Sequence, residues 1–169
     1  MTIDDDGSRA FARARAHATS HGLAIVAEDL ARPWGGFLVI DDTQVEGFAA
    51  AFFPDLGLPP ATDRPPMSPK LLVVAPHRRL SWQYHLRRDE LWSVVEGPVG
   101  VVASTTDDQP LVEPLDAGRY VRHRAGTRHR LVGLAGWGVL AEIWEHVDSS
   151  SPSDEADIVR IEDDFGRQV

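Results

Sequence analysis

Hydrophobic and polar positions divide this chain into a helix-prone front, a long β-patterned middle and a polar tail with one apolar stretch. Residues 8–20 are rich in Ala and Arg, which favours a short helix whose one large apolar side chain is Phe11. Residues 23–26 and 37–40 read as strands, the second bounded by Asp41 and Asp42. Val45, Phe48, Ala49 and Phe52 recur at helical spacing and share one helix face. Thr43 and Glu46 have the spacing of a capping box before that helix, and Pro54 stops it. Residues 55–69 carry five prolines and no periodicity, which suits a surface insertion or a lid.

Between residues 70 and 146, short apolar runs at 71–74, 91–95, 99–103 and 137–144 alternate with Gly, Pro and Asp. Many short, evenly spaced strands predict an all-β sandwich or jelly-roll barrel. After the Ser- and Asp-rich residues 148–154, Ile158, Val159, Ile161 and Phe165 call for burial, so the tail is expected to pack on the barrel. The resulting partition is an N-terminal helical extension over 1–30 and one β domain over 31–169. Within that domain, 41–69 is a helix plus proline-rich insertion and 149–169 a C-terminal tail.

Composition narrows the class. A chain of 169 residues buries one proper core, and 43% apolar with 25% charged residues is ordinary for a globular protein. No apolar run approaches the roughly 20 residues needed to cross a bilayer, and the acidic start lacks a secretory pattern. The absence of cysteine excludes disulfides and thiolate metal sites. A net charge of −9 argues against general affinity for nucleic acid or anionic lipid. A cytoplasmic protein with no nucleic-acid or membrane partner is expected, and a homodimer is left open. Against the acidic background, Arg119, Arg122, Arg124, Arg128 and Arg130 cluster with His123 and His129. They suit either a phosphate or a solvated strand face paired with carboxylates.

The chemistry concentrates between Leu80 and Gly97, which reads LSWQYHLRRDELWSVVEG. Strand alternation puts Gln83 and His85 on one face. After a turn through residues 86–89, Glu90, Trp92 and Val94 share a face of the next strand, and in a hairpin lining a barrel Gln83, His85 and Glu90 converge inside. With His129 as a second imidazole, this donor set suits one divalent ion (Zn, Mn, Fe, Co or Ni) and leaves positions open for substrate or water. Against that stands the ordinary reading of an inward histidine as a hydrogen-bonded core residue. His77 reads as a turn residue, and His17, His21 and His146 as surface residues.

At these residues the chain resembles the cupin domain of type II mannose-6-phosphate isomerases. The shared motifs are Arg32-Pro33-Trp34-Gly35; Lys70 with Val74 and Pro76; Leu80-Ser81 with Gln83, His85, Arg88, Glu90 and Trp92; Gly126 with His129-Arg130-Leu131; and Asp157-Ile158 through Gly166-Arg167. The chain departs from the family pattern at His77, where a glycine is usual, at His123-Arg124, where Ile-Pro is usual, and in the length of 41–69. The resemblance implies a cupin double-stranded β-helix and makes Gln83, His85, Glu90 and His129 the metal positions. It implies a metal-dependent aldose–ketose isomerase that acts on a sugar phosphate, mannose-6-phosphate-like or a heptose phosphate, through an enediolate. Glu142, Lys70 and His123 are the candidate proton carriers. Arg88 and Arg130 are the candidate phosphate binders, although alternation turns Arg128 and Arg130 outward if His129 faces in. The competing readings are an iron(II)-dependent oxygenase on the same ligands and a non-catalytic sugar-binding cupin.

Overall fold

Alternating apolar positions build two antiparallel sheets that face each other across the interior of a barrel. The computed structural model describes residues 3–169, with side chains from residue 6 onward. One sheet has six strands: β1 (Ile25–Arg32), β2 (Gly35–Ile40), β3 (Met67–Val74), β5 (Arg88–Glu96), β8 (Tyr120–His123) and β10 (Gly138–His146), in the order β1-β2-β3-β10-β5-β8. The other has β4 (Trp82–Tyr84), β6 (Val99–Ser104), β7 (Glu113–Leu115), β9 (Arg128–Gly133) and β11 (Val159–Glu162), in the order β11-β4-β9-β6-β7. This is the all-β, cupin-type jelly roll expected from the strand spacing and the resemblance.

Two helices cover the outer face of the larger sheet. Helix α1 (Ile3–Ser20) turns Ala10, Ala14 and Ala18 inward, all fully buried, so small side chains let it lie close to the strands. Helix α2 (Val45–Phe52) buries Val45, Phe48, Ala49 and Phe52, the four positions its periodicity selects. Strand β5 is therefore covered on both sides. Leu91 packs in the helix-side core, and Ser93 donates to the Phe52 carbonyl at 2.6 Å, while Trp92 and Val94 point into the barrel. Fully burying one such large apolar side chain contributes about 1.5–3 kcal/mol. No helix among the described residues is long and apolar enough to cross a membrane.

Several local expectations give way to tertiary context. The capping box at Thr43 and Glu46 does not form; the Asp41 carboxylate instead accepts from the Thr43 N–H at 2.9 Å and caps a 3-10 turn over Asp42–Gln44. Pro69 lies inside β3, but β2 pairs with that strand only as far as Lys70, which leaves Pro69 on a stretch with one neighbour, where proline is tolerated. The segment read as a hairpin is a corner, because β4 belongs to one sheet and β5 to the other. His146 is buried between Ser68 and the Ser153 N–H instead of lying at the surface. His77 does occupy a turn, at φ +57, a left-handed conformation that glycine adopts most readily.

Candidate metal centre

The sheet-to-sheet corner brings the ligand residues together more effectively than a hairpin would. Gln83 on β4 is paired in register with His129 on β9, and Glu90 comes from the facing sheet, where it lies between Trp144 and His123. His85 sits just past β4, where the chain crosses between the sheets. Gly126, at φ +84, forms the turn before β9, and its N–H donates to the His85 carbonyl at 2.7 Å. Few residues other than glycine adopt that turn, so Gly126 ties the two histidine stretches together.

His85, Glu90 and His129 are all buried, and one ligand atom from each lies within 4.8 Å of the others. Glu90 Oε1 is 3.0 Å from His85 Nε2, and Glu90 Oε2 is 3.1 Å from His129 Nε2. His129 Nδ1 faces the Thr127 carbonyl at 2.9 Å. A carbonyl only accepts, so Nδ1 carries a proton, and Nε2 is the ring atom that faces the carboxylate. Both facing atoms are buried without a hydrogen bond. An imidazole nitrogen and a carboxylate oxygen 3.1 Å apart are joined either by a proton or by a cation, and with neutral imidazoles the donor set fits a divalent ion of the nitrogen- and oxygen-binding kind. Burial would raise the Glu90 carboxyl, but the positive charges of His85 and His129 when protonated, and of Arg88, outweigh it and hold the group ionised well below the usual range. Burial lowers the pKa of His85 and so favours the neutral form that binds metal. Gln83 stands beside the triad, its Oε1 accepting from Ser81 Oγ.

Glu90 and Gln83 also face a cleft with about 60 Å³ of enclosed space, where Arg32, Lys70, Arg88, Arg160 and Arg167 meet Glu90, Glu142 and Glu155. Three of the cations are already matched: Arg88 to Glu90 at 2.8 Å, Arg32 to Asp29 at 2.8 Å, and Arg167 to Asp163. Arg160 makes no hydrogen bond or ion pair among the described residues, and its Nε is buried. Trp144 Nε1, on the same cleft, is likewise a buried donor without a partner. Lys70 places its ammonium 3.2 Å from the centre of the Trp144 ring. Glu142, opposite Lys70 in register, accepts from Trp92 Nε1 at 3.0 Å, and burial with the nearby Glu90 charge pushes its carboxyl up to about 7.

The remaining candidates separate. Arg88 is buried in the corner, spanning Glu90, His85 Nε2, Ser153 and the Asp154 carbonyl. Arg130 lies outside the barrel as alternation requires, held by the Leu80 carbonyl, Gln109 and Glu162, and does not line the cleft. His123 stacks on His129 at 4.8 Å and 12° and borders a different groove, while burial and His129 lower its pKa to about 3. Residues 41–69 do not line the cleft either. The sequence reading assigned no role to Arg160, Trp144 or Asp157; the signal available was the alternation of Ile158 with Arg160 in the tail.

A comparison with curated protein sequences found no match. Among solved structures, the chain is similar to an oxalate decarboxylase from B. subtilis (TM-score 0.56, 9% identity, 80% of this chain and 30% of that one). It is similar to KdgF from Halomonas sp. (TM-score 0.52, 13% identity, 73% and 91%) and to procruciferin, an 11S globulin from Brassica napus (TM-score 0.50, 10% identity, 72% and 27%). The chain thus spans about a third of the decarboxylase and globulin chains, and identities this low establish a shared fold alone. The family model described as mannose-6-phosphate isomerase C-terminal matches residues 66–163, which hold the metal-site triad and most of both sheets. This chain belongs to that family.

Proposed function

We propose that this protein is a metal-dependent aldose–ketose isomerase acting on a sugar phosphate, mannose-6-phosphate-like or a heptose phosphate. The observation that carries the reading is the buried cluster of His85, Glu90 and His129, a donor set that suits a divalent cation, with Glu90 also facing a cleft that holds Arg160, unpaired among the described residues. His85, Glu90 and His129 would hold the ion, with Gln83 as a fourth donor. When bound there, a divalent ion supplies Lewis-acid stabilisation of negative charge on the sugar oxygens.

The protein's own groups do the rest. Glu142 is suited to carry the proton between adjacent sugar carbons, since it faces the cleft beside Glu90 and burial raises its carboxyl above the usual range. Trp92 Nε1 fixes the orientation of Glu142, and the neighbouring Lys70 offsets charge as the enediolate develops. Arg160 and Trp144 Nε1 offer unused donors to a phosphate, with Arg32 and Arg167 adding charge. Arg88 and His123 support the metal histidines, and Arg130 braces the outer face. Proton NMR of a sugar-phosphate panel in heavy water tests the reading. Deuterium should enter at the carbon beside the carbonyl with one substrate, and no incorporation with any member would reject it.

A second reading is favoured by one observation: two histidines and one carboxylate are also the ligand set of iron(II) oxygenases. Oxygen uptake with ferrous iron separates the two, since the isomerase consumes none.

A further inference from the structure

His129 and His85 are oriented by different parts of the chain. His129 points Nδ1 at the carbonyl of Thr127, two residues back in its own turn. His85 points Nδ1 at the carbonyl of Asp157 at 3.4 Å, a residue 72 positions away in the C-terminal tail. Asp157 is itself buried and held tightly: Oδ1 accepts from the Leu86 N–H at 3.1 Å, and Oδ2 from the Arg87 N–H at 3.0 Å and from Ser153 Oγ at 2.6 Å. Those two amides follow directly after His85, so one carboxylate clamps the corner while its own carbonyl faces the imidazole. Ser153 Oγ also accepts from Arg88, which reaches Glu90 Oε1 at 2.8 Å. Two ligands of the triad are thus connected to Asp157 by separate routes. The tail that Asp157 docks then supplies Glu155, Ile158, Arg160 and Arg167 to the cleft.

The structure assigns to Asp157 the part of a positioning residue that joins the metal centre to the C-terminal tail, so that metal binding and docking of the cleft's arginine wall favour each other. The assignment rests on the triad being a metal site, as proposed above. A carbonyl facing Nδ1 selects the tautomer whose lone pair is on Nε2, where Arg88 now lies at 3.2 Å, and a docked tail keeps that carbonyl in place. By linkage, whatever favours the docked tail tightens the metal, and the metal favours the docked tail to the same extent.

The test uses the full chain and zinc alone, with affinity read by competition with a chelating dye. Asp157→Asn should weaken zinc by about 10- to 100-fold, the range usual for loss of a group that orients a ligand. Ser153→Ala, which removes one of the three bonds, should weaken it less and in the same direction. Nitrogen-15 NMR of the metal-free protein should show His85 protonated at Nδ1, and as a tautomer mixture in Asp157→Asn. Zinc should slow amide exchange over residues 154–167 in the parent protein, and less so in both variants. A folded Asp157→Asn or Ser153→Ala protein with parental zinc affinity and an unchanged His85 tautomer overturns the assignment. Weakened zinc without deuterium incorporation into any sugar phosphate would leave the assignment standing and remove the isomerase reading; a parent chain that binds no zinc removes both.

Discussion

The cleft has two unlike walls. One is the barrel itself, where Lys70, Glu90, Glu142 and Trp144 project from β3, β5 and β10, strands paired in unbroken register over most of their length. The other is the tail, where Glu155 and Ile158 come from a 3-10 turn and its end, Arg160 from β11, an edge strand whose register with β4 shifts, and Arg167 from the segment after it. The barrel wall carries groups whose chemistry needs fixed placement: the candidate ligand Glu90 and the proposed proton carrier Glu142. The tail wall carries groups that need only reach an anion. Catalytic geometry on regular strands and recognition on an adjustable segment is a division that substitutions can expose.

The largest effect is expected on the barrel wall. Glu142→Gln should lower kcat by about 10²- to 10⁴-fold with KM little changed, because it removes a proton carrier and leaves the anion contacts alone. Rates measured under substrate saturation check this. The same substitution has a stability signature. The Glu142 carboxyl is raised in the folded state, so its contribution is fully present below the unfolded value near 4.5 and is lost as pH rises through about 7. The difference is up to about 3 kcal/mol, at about 1.4 kcal/mol for each pKa unit. Denaturant unfolding at pH 4.5 and pH 8 should show the parent losing more stability than Glu142→Gln.

The tail wall should answer in KM. Arg160→Gln is expected to raise KM for the sugar phosphate about tenfold with kcat nearly unchanged, whereas Arg130→Gln should leave KM alone and cost about 2 kcal/mol of stability through its lost bonds. A KM effect at Arg130, or a pure kcat effect at Arg160, would break the comparison. The smallest effect belongs to the proline-rich insertion. Pro60→Ala, away from the cleft, should change stability by less than about 0.5 kcal/mol and kcat/KM less than about twofold. A large loss of activity would make the segment a lid.

These contrasts follow what the residue pattern reveals by itself. The barrel was legible because alternation is a strict rule: it turned Gln83 and His129 inward and sent Arg130 outward, while the helical period gave α2 its buried face. The corner between β4 and β5 was not, because a turn within one sheet and a crossing between two look alike in local pattern. The small-residue face of α1 escaped notice since Ala10, Ala14 and Ala18 carry little hydrophobic signal individually. Asp157 and Arg160 were hidden for another reason. The meaning of Asp157 depends on contacts spanning some seventy residues, between a 3-10 turn and a corner, and that of Arg160 on the cleft the docked tail lines; no periodicity encodes either.

All of this rests on a cation between the lone pairs of His85, Glu90 and His129. The direct measurement is metal content by elemental analysis after equilibration with a divalent ion and gel filtration, for the parent chain, Glu90→Gln and His129→Ala. The account predicts one ion per parent chain at neutral pH and well under a tenth of that in folded samples of either variant. Equal metal content in all three, or none in the parent, would contradict it.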